Sequence, residues 1–398
     1  MWYAFVPSLN RSMEKVDKEL VIIGSNEYCE QHGQYFFRSG LEPQMDDLAR
    51  FFTKMYHYSP KSMHTFVGGE FSKDVVIRPF SVGHHETHGE LLRRILEYWK
   101  SMKKIYAAHP GALFMVYFPD SYIGMLAALY LKAKRVRCVV RITSNQMEEM
   151  RVRGGKWYRR ILYVLIRPFY YFFVKQILRN QVQIYSGKKL FFSDDACYSV
   201  NSSNLRVSDI HRRRAVEKEA YTLYYVGRFD CYKGLAHAIE AMAYIIAQVR
   251  LRIIGFGNAD DTQRILDQIK ASPVAAAIEM VGQVPYGPAL FAAYDEADIV
   301  LVPSLYETQG KTYLEAMARG ALVVASRTGG IPYIVHDHEN GLLVPPGDAQ
   351  AIAAAVDRLL ADRVLQKKMR DSGYQTARGS TIEKITDTTL QAIKKHLL

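Results

Sequence analysis

The sequence predicts an α/β protein of two domains, on three observations. The chain has 398 residues, too many for one ordinary core and close to what two α/β domains need. From residue 220 onward, short β-branched or aromatic runs alternate with helical stretches, the pattern of βαβ units that build a parallel sheet. Each of those runs ends in a polar or glycine-rich loop, where open α/β sheets place their ligands.

In this C-terminal half the expected strands are 222–226, 250–254, 277–281, 299–302, 322–326 and 341–344. The expected helices lie near 234–247, 260–271, 286–297, 311–319 and 349–361. The N-terminal half is less regular. Runs at 20–24, 75–77, 113–118 and 138–142 read as strands, and 46–55, 88–107 and 122–132 as helices, which makes a second α/β domain. A polar, basic stretch over 201–218 (NSSNLRVSDIHRRRAVEK) marks the boundary. The expected organisation is therefore a domain over 1–205, a second over 206–380 and a terminal segment over 381–398. No internal repeat or low-complexity tract interrupts it.

Apolar residues at 49% and charged residues at 23% place the chain among globular proteins. The four cysteines, Cys29, Cys138, Cys197 and Cys231, are far apart and form no CxxC or Cys/His cluster. They are expected as reduced thiols of a cytoplasmic protein. The N-terminus has no charged region followed by a long apolar run, so no signal peptide is expected.

Charge is unevenly placed. Residues 1–220 carry 34 Lys and Arg against 21 Asp and Glu, a net of +13, whereas residues 221–398 carry 18 against 19, a net of −1. The densest part is 137–179, with ten cations against Glu148 and Glu149. Such a surface calls for an anionic partner. Nucleic acid is not the expected one, since no RNA- or DNA-binding module is recognisable. Within the basic part, 157–178 (WYRRILYVLIRPFYYFFVKQIL) is too interrupted by Arg159, Arg160, Arg167, Pro168 and Lys175 to span a bilayer. Two readings stand: an interfacial helix pair resting on anionic lipid headgroups, peripheral at the membrane, or a pair of packed helices with basic outer faces.

Two clusters carry chemistry. The run Tyr224-Tyr225-Val226-Gly227-Arg228, then Lys233-Gly234, sends a strand into a glycine turn with two cations five residues apart. A planar guanidinium and a mobile ammonium together neutralise a diphosphate without a metal. The second cluster runs from Pro303 to Ala318. A strand ends at Pro303, the loop carries Glu307, and a helix is expected to open near Gly310, where free amides and the helix dipole favour an anion. Carboxylates beside a phosphate would repel it, so Glu307 and Glu315 are expected to accept hydrogen bonds from hydroxyls, as of a ribose diol and a sugar ring.

Glu307 and Glu315 form an E-x7-E pair, followed by Ala316-Met317-Ala318-Arg319-Gly320, by Arg327-Thr328-Gly329-Gly330-Ile331-Pro332 and by Asn340-Gly341-Leu342-Leu343-Val344-Pro345-Pro346-Gly347-Asp348. Over roughly 220–375 this order and spacing resembles the retaining glycosyltransferases of family 4. The resemblance implies an α/β protein with the GT-B fold, two Rossmann-like doubly wound domains facing a cleft. It also implies that Arg228 and Lys233 hold and stabilise the leaving diphosphate, that Glu315 meets the ribose and that Glu307 faces the transferred sugar. Amides around Gly310, Lys311 and Thr312 then contact phosphate and sugar. Gly227 makes the turn before Arg228, and the stretches Gly255-Phe256-Gly257 and Gly282-Gln283-Val284 line the nucleoside pocket. The last helix, 381–397, crosses back to the N-terminal domain.

The chain also departs from the family. Its donor loop reads Thr308-Gln309-Gly310-Lys311, with polar and cationic residues at usually apolar positions, which bears on the identity of the sugar. Where many relatives place a histidine after the strand here reading Val139-Val140-Arg141-Ile142, this sequence continues Thr143-Ser144-Asn145-Gln146. Asn145 is a candidate to bond the donor sugar, or a cap for the following helix. His84, His85 and His88 form a cluster whose spacing suits a metal only on a formed helix, and since the fold generally needs none, no metal or cofactor is expected. His85 and Gly33 remain candidates near sugar and phosphates.

The expected activity is transfer of a sugar, with retention, from a UDP- or GDP-sugar to a glycan or lipid-linked glycan. The alternatives are a nucleotide-sugar epimerase or phosphorylase on the same fold, and a non-catalytic nucleotide-sugar or glycan-binding subunit.

Overall fold

The computed structural model describes residues 14–24, 28–31, 34–37, 42–62, 74–80, 88–118, 122–143, 157–187, 191, 195–201, 203–212 and 220–398. In chain order, β1 (Val16–Ile23) is followed by an antiparallel hairpin of β2 (Tyr28–Gln31) and β3 (Gln34–Phe37), then α1 (Glu42–Ala49), β4 (Phe52–Ser59) and β5 (Val75–Pro79). Next come α2 (His88–Ala108), β6 (Leu113–Tyr117), α3 (Tyr122–Ala133), β7 (Val139–Ile142), α4 (Trp157–Leu178), β8 (Val182–Ser186) and β9 (Cys197–Val200). Seven of these strands form one sheet in the order β5-β4-β1-β6-β7-β8-β9. Its pairs β1–β4, β1–β6, β4–β5 and β8–β9 are parallel. Every residue of β6, β7 and β8 is buried, as befits strands covered on both faces.

The second sheet is built from β10 (Tyr221–Val226), α5 (Leu235–Ala241), β11 (Val249–Ile254), α6 (Ala259–Ala271), β12 (Ile278–Gly282), α7 (Pro288–Glu296), β13 (Ile299–Val302), α8 (Thr312–Ala318), β14 (Leu322–Ser326) and β15 (Leu342–Val344). Three helices close the chain: α9 (Ala349–Ala361), α10 (Arg363–Arg378) and α11 (Ile382–Leu397). The six strands pair in parallel in the order β12-β11-β10-β13-β14-β15. Successive strand residues point to opposite faces, so each strand feeds two cores. Leu223, Tyr225, Leu251, Ile253, Leu301 and Val324 pack with Ile239, Ile352, Val356 and Leu359 from α5 and α9. Their neighbours Tyr224, Ile254, Val300, Val302 and Val323 pack with Leu290, Tyr294, Leu314 and Met317 from α7 and α8. Helix starts follow local chemistry. Asn258, Asp348 and Asp362 each accept the amide three residues on, and Pro288 opens α7.

All six strands expected in the C-terminal half are present, with no end moved by more than one residue. Three differences have physical causes. The helix expected at 46–55 ends at Ala49, and the run from Phe52 becomes β4, because pairing between β1 and β5 outweighs local helical spacing. The helix expected at 234–247 stops at Ala241, since Asp357 captures the amides of Ile246 and Ala247. The segment 157–178 is one helix, not a pair: it continues through Pro168 and is anchored by buried Val174, Ile177 and Leu178. The strands β8 and β9 and the helix α10 had no clear periodic signal.

By contact density the chain divides into Met1–Val140 with Leu397–Leu398 and Arg141–His396, a division inside β7, whereas the sheets change over between β9 and β10. Within the second unit α11 is tied to the segment around β9. Ile382 donates to the Leu205 carbonyl at 2.7 Å, Asn201 to Ser380 at 2.9 Å, and Tyr198 lies 3.0 Å from His396.

The carboxyl ends of β10, β11 and β12 are bound side by side through glycine turns. Gly227 donates to Ile254 at 3.0 Å and Gly255 to Gly282 at 2.9 Å. Gly255 has φ +151°, and a Cβ there would lie 1.8 Å from the Gly227 carbonyl oxygen; Gly282 has φ +89° with open space around it. Gly282→Ala should therefore cost only the left-handed strain of about 1–2 kcal/mol. Gly255→Ala adds a backbone collision and should cost more, roughly 2–4 kcal/mol, seen as a lower urea midpoint. Equal midpoints in the two variants would contradict this packing.

Candidate functional site

The strand order reverses between β10 and β13, and open α/β sheets bind ligands in the crevice at the carboxyl ends of such a pair. Beyond β10 lie Gly227, Arg228, Lys233 and Gly234; beyond β13 lies the loop from Pro303 to Gly310. That loop is clamped on both sides. On one side Leu305 donates to the Tyr232 carbonyl at 2.7 Å, and Gly234, at φ +71°, sits so close that a Cβ would lie 1.9 Å from the Pro303 carbonyl oxygen. On the other, Gly330 donates to the Glu307 carbonyl at 2.7 Å and Thr328 to the Leu305 carbonyl at 3.1 Å. A Cβ at Gly329 would stand 1.9 Å from the Glu307 oxygen, and one at Gly330 1.8 Å from the Thr308 oxygen. Only glycine permits this contact.

Across the crevice the Lys233 ammonium pairs with Glu307 Oε2 at 2.5 Å, with side-chain exposures of 22% and 12%. Arg228 is more exposed. It pairs with Asp230 at 2.9 Å, donates to the Tyr232 hydroxyl and has its guanidinium 5.8 Å from that ring. Both cations thus have carboxylate partners that an incoming anion would displace. The turn between them is braced by Tyr225, whose hydroxyl donates to the Arg228 carbonyl at 2.6 Å. Burial, then the nearby carboxylates of Asp230 and Glu307, push that phenol far above its ordinary range, so it remains a donor.

Glu315 lies one turn into α8 and is buried. Burial raises its carboxyl above the usual range, opposed by a hydrogen bond from Tyr294 and by the charge of Lys311. The Tyr294 hydroxyl, buried on α7, donates to Oε2 at 2.8 Å. Lys311 donates to Asn204 at 3.3 Å, and Thr312 to the Val226 carbonyl at 3.2 Å, which ties the start of α8 to the end of β10. The helix expected near Gly310 begins at Thr312 and is seven residues long. Its Leu314 and Glu315 amides are both taken by the Lys311 carbonyl at 3.0 Å.

Gly255 and Gly257 follow β11; a Cβ at Gly257 would come within 2.9 Å of the Phe229 Cβ. Gln283 and Val284 follow β12, the first exposed and the second packed against the α7–α8 core. The structure therefore gathers Gly227, Arg228, Lys233, Gly255, Gly257, Gln283, Val284, Glu307, Gly310, Lys311, Thr312 and Glu315 at the carboxyl edge of one sheet or on α8. Gly33, His84, His85 and Asn145 lie outside the described residues, as does the side chain of His88. Among the described residues no group of three or more His, Cys, Asp or Glu is placed to hold a metal. Sequence reasoning passed over Tyr294, Tyr232 and Asn204, which reach the site from other elements. The Gly329-Gly330 pair it noted without a task.

Residues 207–376 match the family model for glycosyl transferases group 1. An uncharacterised glycosyltransferase of Methanocaldococcus jannaschii is 32% identical over 165 residues, 42% of this chain and 42% of its own. LpsE of Rhizobium meliloti, a lipopolysaccharide core biosynthesis glycosyltransferase, is 33% identical over 170 residues, 42% of this chain and 48% of its own. The matched stretch thus spans less than half the length of either relative. Among solved structures, sucrose-phosphate synthase of Thermosynechococcus elongatus has a TM-score of 0.71 at 20% identity, covering 95% of this chain and 98% of that one. HepE of Anabaena, solved in complex with UDP, has a TM-score of 0.66 at 15% identity, covering 95% and 100%. At these identities the likeness is one of fold. In sequence, then, residues 207–376 match the group 1 glycosyl transferases, and in architecture the chain has the GT-B fold of two Rossmann-like domains.

Proposed function

We propose that the protein is a retaining, metal-independent glycosyltransferase that moves a sugar from a UDP- or GDP-sugar to a glycan or lipid-linked glycan. The observation that carries this reading is the Lys233–Glu307 pair across the strand-order reversal, with Arg228 beside it and buried Glu315 on the adjoining helix. The group 1 match and the UDP and UDP-glucose bound to HepE support a nucleotide-sugar donor. The nucleotide-sugar is the substrate, and no cofactor is invoked.

On this reading the diphosphate replaces Glu307 and Asp230 as the partner of Lys233 and Arg228. Glu307, released from its ion pair, accepts a hydroxyl of the transferred sugar, while Glu315 accepts from the ribose. When the bond from the anomeric carbon to the diphosphate breaks, charge accumulates on the leaving oxygen, where the two cations already stand. The acceptor oxygen forms its bond on the same face and passes its proton to the departing phosphate. We further place the protein at the cytoplasmic face of an anionic membrane. No described helix is long and apolar enough to cross a bilayer, and the excess positive charge lies in residues 1–220.

Lys233→Ala and Glu307→Ala each strip one partner from a largely buried pair, so each should lower the melting temperature while keeping a cooperative unfolding transition, and should lower turnover with UDP- or GDP-sugars by about 10²-fold or more. Undiminished turnover in either refutes the site. Tyr294→Phe should weaken binding of the nucleoside diphosphate about tenfold. It also removes a donor that opposes the effect of burial on Glu315, so the acid limb of the affinity–pH profile should move to higher pH. A 2′-deoxy nucleotide should bind parent and variant alike; a tenfold loss there too would mean that Tyr294 acts only on packing.

A further inference from the structure

Tyr313 lies in the first turn of α8, two residues before Glu315, and is wholly buried in the core that includes Val302, Leu314 and Ile331. A phenylalanine would fill that space as well. The hydroxyl is what needs explaining, since its oxygen is buried and makes no hydrogen bond among the described residues. Leaving such a group unsatisfied costs stability. Burial, then the charge of the Glu307 carboxylate, holds the phenol far above its ordinary range, so it keeps its hydrogen and is available as a donor. The Gly310 amide acts on it in the opposite sense, but an amide only donates, and no described group accepts the phenolic hydrogen.

Geometry names the acceptor. A Cβ placed on Gly310 would stand 3.0 Å from Tyr313 Cε1 and 3.5 Å from both Cγ and Cδ of Glu307. The missing side chain at 310 thus lets the ring edge that adjoins the hydroxyl and the carboxyl group approach one small space. Glu307 Oε2 is meanwhile engaged by Lys233. The carboxylate therefore has a cation bound and an idle hydrogen-bond donor close by. When a diphosphate takes Lys233, a carboxylate largely out of water loses its cation, at a heavy cost unless another donor replaces it.

We propose that Tyr313 is a positioning residue for Glu307: once the diphosphate of the donor engages Lys233, the carboxylate passes to the Tyr313 hydroxyl, which holds one oxygen and leaves the other for a hydroxyl of the sugar. This rests on the donor-site reading above and gives Glu307 a fixed orientation after its ion pair opens. The phenol gains in the bound state the bond that it lacks in the free one.

The first test needs no ligand. Lys233→Ala releases Glu307 as a diphosphate would, so the phenol should then become its partner. Tyr313→Phe in the parent should leave the melting temperature unchanged or raise it, because it deletes a hydroxyl that makes no bond. In the Lys233→Ala chain the same change should lower it, by about 2–4 °C. An equal effect in both backgrounds overturns the proposal, since packing of the ring alone does not depend on residue 233. The second test is equilibrium binding of UDP and of GDP to the full chain. Tyr313→Phe should weaken whichever nucleotide the parent binds by about tenfold. That loss should vanish in a Glu307→Gln background, where no charge is released from Lys233. Undiminished affinity, or the same loss in Glu307→Gln, overturns the proposal. A parent that binds neither nucleotide, while the ligand-free cycle shows the expected coupling, would refute the donor-site reading alone and uphold the pairing of Tyr313 with Glu307.

Discussion

The ion pair between Lys233 and Glu307 joins two loops whose residues are 74 apart in sequence, and the C-terminal domain is arranged so that they meet. The sheet order puts β10 beside β13, which brings the two loops to one crevice. The backbone then holds each loop rigidly. Tyr232 and Gly234 press on Pro303 and Leu305 from one side, and Thr328, Gly329 and Gly330 press on Leu305, Glu307 and Thr308 from the other. An acid and a base held so closely, and mostly out of water, are preorganised at low entropic cost.

The same economy explains the environment of Glu315. A carboxylate taken out of water is costly unless it is paired or hydrogen-bonded. Tyr294 supplies a bond from α7 and Lys311 a charge from the start of α8, and both act against the upward shift that burial imposes. The result is a buried carboxyl group held in a fixed orientation at the start of α8. Charges nearly cancel within residues 221–398, so the basicity of the chain belongs to the other half, where α4 exposes Leu165, Phe169 and Phe172.

The two halves differ in how much of them could be read in advance. In the C-terminal half each strand is a short apolar run bounded by glycine or polar residues, and neighbouring strands are consecutive or nearly so. Local pattern and final structure therefore agree for β10 to β15. In the N-terminal half β4 reads FTKMYHYS, whose spacing also suits a helix, and only its place between β1 and β5 decides the matter. The segment over 157–178 is apolar on nearly every side. Periodicity alone could not say whether it folds as one helix or two, nor which face is covered.

The sequence by itself determined the alternation of strands and helices after residue 220, the cations at 228 and 233, the E-x7-E spacing of Glu307 and Glu315, and the separation of charge between the halves. Each of these is a matter of residue type at short range. Only the tertiary structure decided that Tyr294 meets Glu315, that Gly329 and Gly330 brace the Glu307 loop, and that Lys233 closes on Glu307. The same holds for Leu165, Phe169 and Phe172, which stay uncovered while Val174 and Ile177 are buried. Those facts depend on which strands become neighbours and which helix face the sheet covers, and segments far apart in the chain acquire that relation only when the sheet forms.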